Sequence, residues 1–147
     1  MIVTLTNHSL TAQIDSIGAQ LISLKDTAAD TEYIWQRDPA HWKSCSPLLF
    51  PTVGNCRDGK YTLNGQTYTI PKHGFCRNAD FAVSVLSKQE ASFTLTDSPE
   101  TRACYPFAFQ LKLTYTLAED GIQIHYTVTN PGTETMYYQL GAHPGFN

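Results

Sequence analysis

Two of the five histidines stand apart by their surroundings. His73 lies in Pro71-Lys72-His73-Gly74-Phe75-Cys76-Arg77, and His143 in Gly141-Ala142-His143-Pro144-Gly145-Phe146-Asn147. Each falls in an irregular segment just past a predicted strand, beside a glycine and an aromatic. Loops held by a rigid sheet are common homes for catalytic groups. Imidazole titrates near neutral pH, so such a pair can give and take protons. The pair can also ligate a metal, but a metal centre normally needs a third ligand at a recognisable spacing, and no metal site is expected. A third reading, loop histidines with satisfied ring nitrogens, stays open on residue chemistry alone. His8, His41 and His125 sit singly among strand or loop residues and read as structural or exposed.

The elements that must position these segments are strands. From Phe107 to Leu117 every second residue is apolar (Phe107, Phe109, Leu111, Leu113, Tyr115, Leu117), with Gln110, Lys112, Thr114 and Thr116 on the other side. A period of two marks a strand with one buried face. Glu119-Asp120-Gly121 reads as a turn, and Ile122, Ile124, Tyr126 and Val128 begin a second alternating run that should pair with the first as an antiparallel hairpin. Asn64-Gly65 is the strongest two-residue hairpin signal, because both turn positions need positive φ; it joins strands predicted at 61–63 and 66–70. Further strands are predicted at 2–6, 12–17, 19–26, 33–35, 82–86, 91–96 and 136–140. Ser98-Pro99-Glu100 opens one short helical turn, with Ser98 as cap and Pro99 at its first position. The segment 41–51 (HWKSCSPLLFP) is a connection rich in proline and aromatics. Many short strands joined by turns predict an all-β sandwich or barrel.

Composition narrows the function classes. A chain of 147 residues has the usual size of one domain, and 41% apolar with 16% charged residues belongs to a folded protein. The net charge is −3 and the ten basic residues are scattered, so no nucleic-acid surface is expected. MIVTLTNHSL lacks the pattern of a signal peptide, and no run approaches the roughly 18 apolar residues of a membrane helix, so a cytoplasmic location is expected. Cys45, Cys56, Cys76 and Cys104 form no Cys-x-x-Cys pair and read as free, half-buried thiols.

Four segments occur in an order that resembles the aldose 1-epimerase (galactose mutarotase) family. They are Ser46–Pro51 (SPLLFP), Gly54–Tyr61 (GNCRDGKY), Pro71–Arg77 (PKHGFCR) and His143–Asn147 (HPGFN). Tyr105-Pro106-Phe107-x-Phe109 adds to the likeness, which is greatest to the bacterial, lactose-operon-associated branch of epimerase-like proteins. The resemblance implies a galactose mutarotase-like β-sandwich (a supersandwich) of mainly antiparallel strands, with residues 1–147 as the N-terminal portion of a single such domain. It implies an isomerase that interconverts the α and β anomers of an aldose or sugar phosphate. A carboxylate takes the proton of the anomeric hydroxyl and a histidine protonates the ring oxygen, with no metal or organic cofactor.

Carried over by position, His143 matches the general acid and His73 the histidine that hydrogen-bonds and orients the sugar. Arg77 belongs to the branch's His-Gly-Phe-x-Arg pattern and can donate to sugar hydroxyls or to a phosphate. Two departures stand out. Where many members have a sugar-contacting arginine this sequence has Asn55, which can hydrogen-bond but carries no charge. Arg57 follows two residues later and would share its face in a strand, so both are candidate substrate contacts. The family chain is also about twice as long as this one, and none of Asp58, Asp80 or Glu134 sits in a segment matching its late carboxylate base. The reading is therefore of an apparently truncated sandwich, expected to associate with itself or with a separate C-terminal half through its open edges. The competing function is a carbohydrate-binding module or sugar sensor without turnover.

Overall fold

The structure is a computed structural model that describes all residues, Met1–Asn147. The first three strands form one antiparallel sheet in the order β1 (Ile2–Thr6), β2 (Leu10–Asp15), β3 (Gln20–Asp26). Asn7 makes the first turn, its Oδ1 accepting from the backbone N–H groups of Ser9 and Leu10. Val3, Leu5, Leu10, Ala12 and Ile14 are buried, every second residue on each strand, as a one-sided sheet requires. A register shift between Gln13 and Ile14 skips Ile22, which marks a bulge in β3.

Two small antiparallel pairs follow. The short β4 (Leu48–Leu49) finds its partner near the chain end, and β5 (Lys60–Leu63) pairs with β6 (Gln66–Thr69). The β5–β6 turn is the predicted Asn-Gly: Asn64 has φ +49° and Gly65 φ +81°. The second large sheet contains β7 (Ala82–Val85), β8 (Glu90–Thr96), β9 (Gln110–Leu117) and β10 (Ile122–Thr129), in the order β10-β9-β8-β7. Between β8 and β9 lies α1 (Pro99–Cys104), opened by a capping box in which Ser98 and Thr101 exchange side chain-to-backbone hydrogen bonds. The last strand, β11 (Gly141–Ala142), pairs with β4.

The two large sheets stack face to face around one apolar cluster. Leu5, Ala12 and Ile14 from the first sheet and Ala91, Phe93 and Leu111 from the second are fully covered. Burying each large side chain of this kind stabilises the fold by roughly 1.5–3 kcal/mol before the entropy of ordering is counted. Backbone and side-chain bonds tie the layers at their margins: Thr6 N–H to Lys88 O at 2.8 Å, Asn7 Nδ2 to Ala118 O at 2.6 Å, and the buried Tyr115 hydroxyl to Ala19 O at 2.7 Å. Burial raises the Tyr115 phenol far above its ordinary pKa, so it remains a donor. The fold is thus an all-β sandwich of antiparallel strands. No helix is long and apolar enough to cross a membrane.

Four expectations need correction. Residues 33–35 form no strand; only Ile34 makes an isolated bridge, to Phe146. Residues 136–140 are irregular, because their available neighbour is the loop at 51–53: Gln139 donates its N–H to Pro51 O, and its Oε1 accepts from Val53 N–H. The alternation at Phe107 and Phe109 begins before the ladder does, since Phe109 N–H is taken by the Asp97 carboxylate and β9 starts at Gln110. All four thiols are free, but Cys45 and Cys76 are buried completely, and only Cys56 and Cys104 are half-buried.

Candidate active site

The stretch 47–50 is the common neighbour of both histidine segments. Leu49 and Leu48 pair with Gly141 and Ala142, and the next residue, Phe50, bridges Gly74 in parallel register. Phe50 O accepts from the N–H groups of Phe75 at 3.1 Å and Cys76 at 3.4 Å. Only glycine fits at position 74: its φ is +72°, and a Cβ there would lie 2.0 Å from Phe50 O. His73 itself has φ +68°, a left-handed conformation uncommon for a side chain-bearing residue. The His-Gly pair therefore turns the chain sharply against β4.

His73 is locked to Gly54 at two points. Its N–H donates to Gly54 O at 2.7 Å, and its Nδ1 accepts from Gly54 N–H at 3.1 Å. A ring whose Nδ1 accepts must, when neutral, carry its proton on Nε2, so His73 presents an Nε2–H donor. Desolvation lowers its pKa below the ordinary 6.5, and the positive charges of Lys72 and Arg77, with His143, lower it further. His73 is thus built as a neutral hydrogen-bond donor at neutral pH.

His143 is placed by backbone bonds along the chain end. Its N–H donates to Pro47 O at 3.2 Å, Gly145 N–H to Cys45 O at 2.6 Å, and Trp35 N–H to Gly145 O at 3.0 Å. Gly145 leaves room for the Trp42 indole and the Trp35 stem, since a Cβ would come within 2.7 Å of the Trp42 ring and 3.1 Å of Trp35 Cβ. Trp35 Nε1 in turn donates to Trp42 O at 2.8 Å. The Trp42 ring packs against the exposed imidazole of His143, with centroids 5.0 Å apart and planes inclined at 57°.

These segments close on one recess, lined by Trp42, Pro47, Leu49, His73, Arg77 and His143. Three of the five residues predicted from sequence are brought together here: His73, His143 and Arg77. Arg77 rides on the 3₁₀ turn Cys76–Asn78, with its backbone packed so tightly on Gly18 that a Cβ there would lie 2.7 Å from Arg77 O. Asn55 and Arg57 are not among the lining residues; both are exposed on the loop beyond Gly54. The strand assumed to align them is absent. Arg57 starts the 3₁₀ turn Arg57–Gly59, in which Asp58 takes φ +53°, so the two-residue step no longer keeps the pair on one face.

Asp58, Asp80 and Glu134 also lie outside the recess. The half-buried Glu32 is committed to structure, accepting from Ser23 Oγ and from the N–H groups of Leu24 and Ile34. Two contributors escaped the sequence reading. Trp42 had a visible signal, an aromatic in a proline-rich connection, but nothing local tied it to His143. Gly54 acts through its backbone and leaves no side-chain signature.

The family model for aldose 1-epimerase matches residues 1–147. Protein LacX of Lactococcus lactis subsp. lactis, in its plasmid and chromosomal forms, is 37% identical over 153 residues, which cover 100% of this chain and 51% of the relative. The crystal structure of a galactose mutarotase-like protein from Lactobacillus casei superimposes with a TM-score of 0.98 at 39% identity, covering 100% of this chain and 50% of that one. A galactose mutarotase related enzyme from Lactobacillus acidophilus gives 0.97 at 39% identity, with 49% of its length covered. This chain therefore spans about half the length of the relatives it matches. With the family match running from the first residue to the last, the chain belongs to the aldose 1-epimerase family.

Proposed function

We propose that the site built on His73 and His143 interconverts the α and β anomers of an aldose by acid–base ring opening. A carboxylate takes the proton of the anomeric hydroxyl while His143 gives one to the ring oxygen. The ring opens, the C1–C2 bond rotates, and the reverse transfers close it as the other anomer. One proton is removed and one supplied, so the chemistry calls for no redox partner.

The observation that carries this reading is the shared recess, where two histidines far apart in the chain stand together beside an indole. His73, neutral and with its proton on Nε2, suits the orienting role better than that of the acid. Trp42 offers an apolar face against which a sugar's C–H groups can pack. Arg77 is a substrate contact in the same proposal. Asn55 and Arg57 join it only through the loop whose Gly54 holds His73. The carboxylate comes, in this reading, from outside residues 1–147, in the part of the relatives' length that this chain does not span.

The absence of an acidic side chain from the recess favours one alternative for these residues alone, a carbohydrate-binding module without turnover. Polarimetry on freshly dissolved α-glucose or α-galactose separates the two. Mutarotation faster than in buffer, and lost in His143→Ala, supports the epimerase. Sugar binding with no acceleration, even when a carboxylate-bearing second half is added, supports the module.

A further inference from the structure

Gln20 opens β3, and its half-buried side chain reaches from that strand to the connection that precedes β4. Its Oε1 accepts from Ser46 N–H at 3.1 Å, from Cys45 N–H at 3.4 Å and from the Cys45 thiol at 3.1 Å. Only the oxygen of the amide can take these donors, so the contacts also fix which way round it stands. Burial pushes the Cys45 thiol above its ordinary pKa, which keeps it protonated and able to donate. Neither Cys45 N–H nor Ser46 N–H has a backbone acceptor, and Pro47 has no N–H to give. Ser46 Oγ, buried without a hydrogen-bond partner, adds no anchor of its own. One amide oxygen therefore receives every backbone donor of residues 45–47.

The acceptors of the same segment go to the chain end. Cys45 O takes Gly145 N–H at 2.6 Å, and Pro47 O takes His143 N–H at 3.2 Å. The β4–β11 ladder stops at Ala142, one residue short of His143, so beyond it these two bonds fix the histidine's backbone to the 45–47 segment. Resting on the sugar-site reading above, we infer that Gln20 is a positioning residue for His143. Its amide oxygen sets where the carbonyls of Cys45 and Pro47 stand, and they set where the imidazole is presented. His73 takes no part in this chain of bonds, because Gly54 holds it separately. A shift of about 1 Å in a reacting group can cost about a hundredfold in rate, so a strap this far from the sugar still bears on proton transfer.

Three variants test this by amide hydrogen exchange, imidazole NMR and polarimetry. Gln20→Leu removes the acceptor at similar bulk, Gln20→Ala removes it and lets water reach the two N–H groups, and Gln20→Glu keeps an oxygen in place. In the first two, exchange at the His143 and Gly145 amides should quicken about tenfold or more, with the amides of β8 and β9 unchanged. The shift that glucose or galactose induces in the His143 imidazole should be lost and that in His73 kept. Any acceleration of mutarotation should fall about tenfold or more, in kcat rather than KM, and Gln20→Glu should restore every reading. If Gln20→Leu does not fold, Gln20→Ala decides by the same measurements. Unchanged exchange at His143 and Gly145 overturns the positioning role and leaves the sugar site standing. Loss of both histidine responses together overturns it too, as does a loss that Gln20→Glu does not repair, because the side chain then serves the fold as a whole. Wild-type histidines silent to both sugars overturn the sugar reading and with it the role of Gln20, even where exchange shows the strap intact.

Discussion

In the layer between the large sheets, Leu5, Ile14, Phe93 and Leu111 are fully buried on strands of five to eight residues. Around the recess, His73 and His143 are carried by loops whose nearest ladder, β4 with β11, is two residues long on each side. The first region is held by apolar area, which tolerates small shifts because dispersion and hydrophobic burial have no direction. The second is held by single backbone bonds and by a close approach that admits only glycine, at Gly74. Damage to the core should thus cost stability broadly, whereas damage to the recess should cost function first.

The largest effect expected is from Phe93→Ala. Phe93 meets Tyr115 edge to face at 5.6 Å in the covered layer, and its truncation should cost about 3–5 kcal/mol in denaturant melts. A loss below about 1 kcal/mol would mean the layer is not the main source of stability. His143→Ala tests the opposite region. Its exposed ring should be removable with little loss of stability, yet any acceleration of mutarotation should fall by about a hundredfold or more in polarimetry. An unchanged rate would remove His143 from the chemistry.

Gly74→Ala probes where the regions touch. The new methyl would collide with Phe50 O, a buried core residue's backbone, in a left-handed conformation. About 2 kcal/mol or more of stability should be lost, together with sugar binding. Retained binding with a normal melt would show that the His-Gly turn does not position the imidazole. Tyr115→Phe is milder: it deletes the bond to Ala19 O while keeping the ring, and should cost about 1 kcal/mol with the recess intact.

The smallest effect is a titration. Because burial and neighbouring cations lower the His73 pKa below 6.5, the fold favours the neutral ring. The stability this group contributes is therefore present above pH 6.5 and lost as pH falls through the lower folded value. Protonation would also take the Nδ1 acceptor away from Gly54 N–H. Imidazole NMR should show His73 titrating below its ordinary value with Nε2 protonated at neutral pH; a pKa at or above 6.5 would contradict the lock on Gly54.

The alternation from Leu111 to Leu117 and from Ile122 to Val128 determined by itself that β9 and β10 form a hairpin with one inward face, because a two-residue period leaves no other way to bury those side chains. Asn64-Gly65 determined its turn, and Ser98-Pro99 the start of α1, through conformational preferences local to a few residues. The motifs around His73, Arg77 and His143 named the chemistry through family resemblance. Tertiary structure alone decided that these three share a recess, because the meeting depends on Phe50 lying against Gly74 while Leu49 pairs with Gly141, contacts between distant parts of the chain. It also decided that no strand carries Asn55 and Arg57, that 136–140 stays irregular, and that Trp42 packs on His143. A strand's period is set by its own backbone, but the partner of a loop is chosen by whatever surface the packed sheets leave beside it.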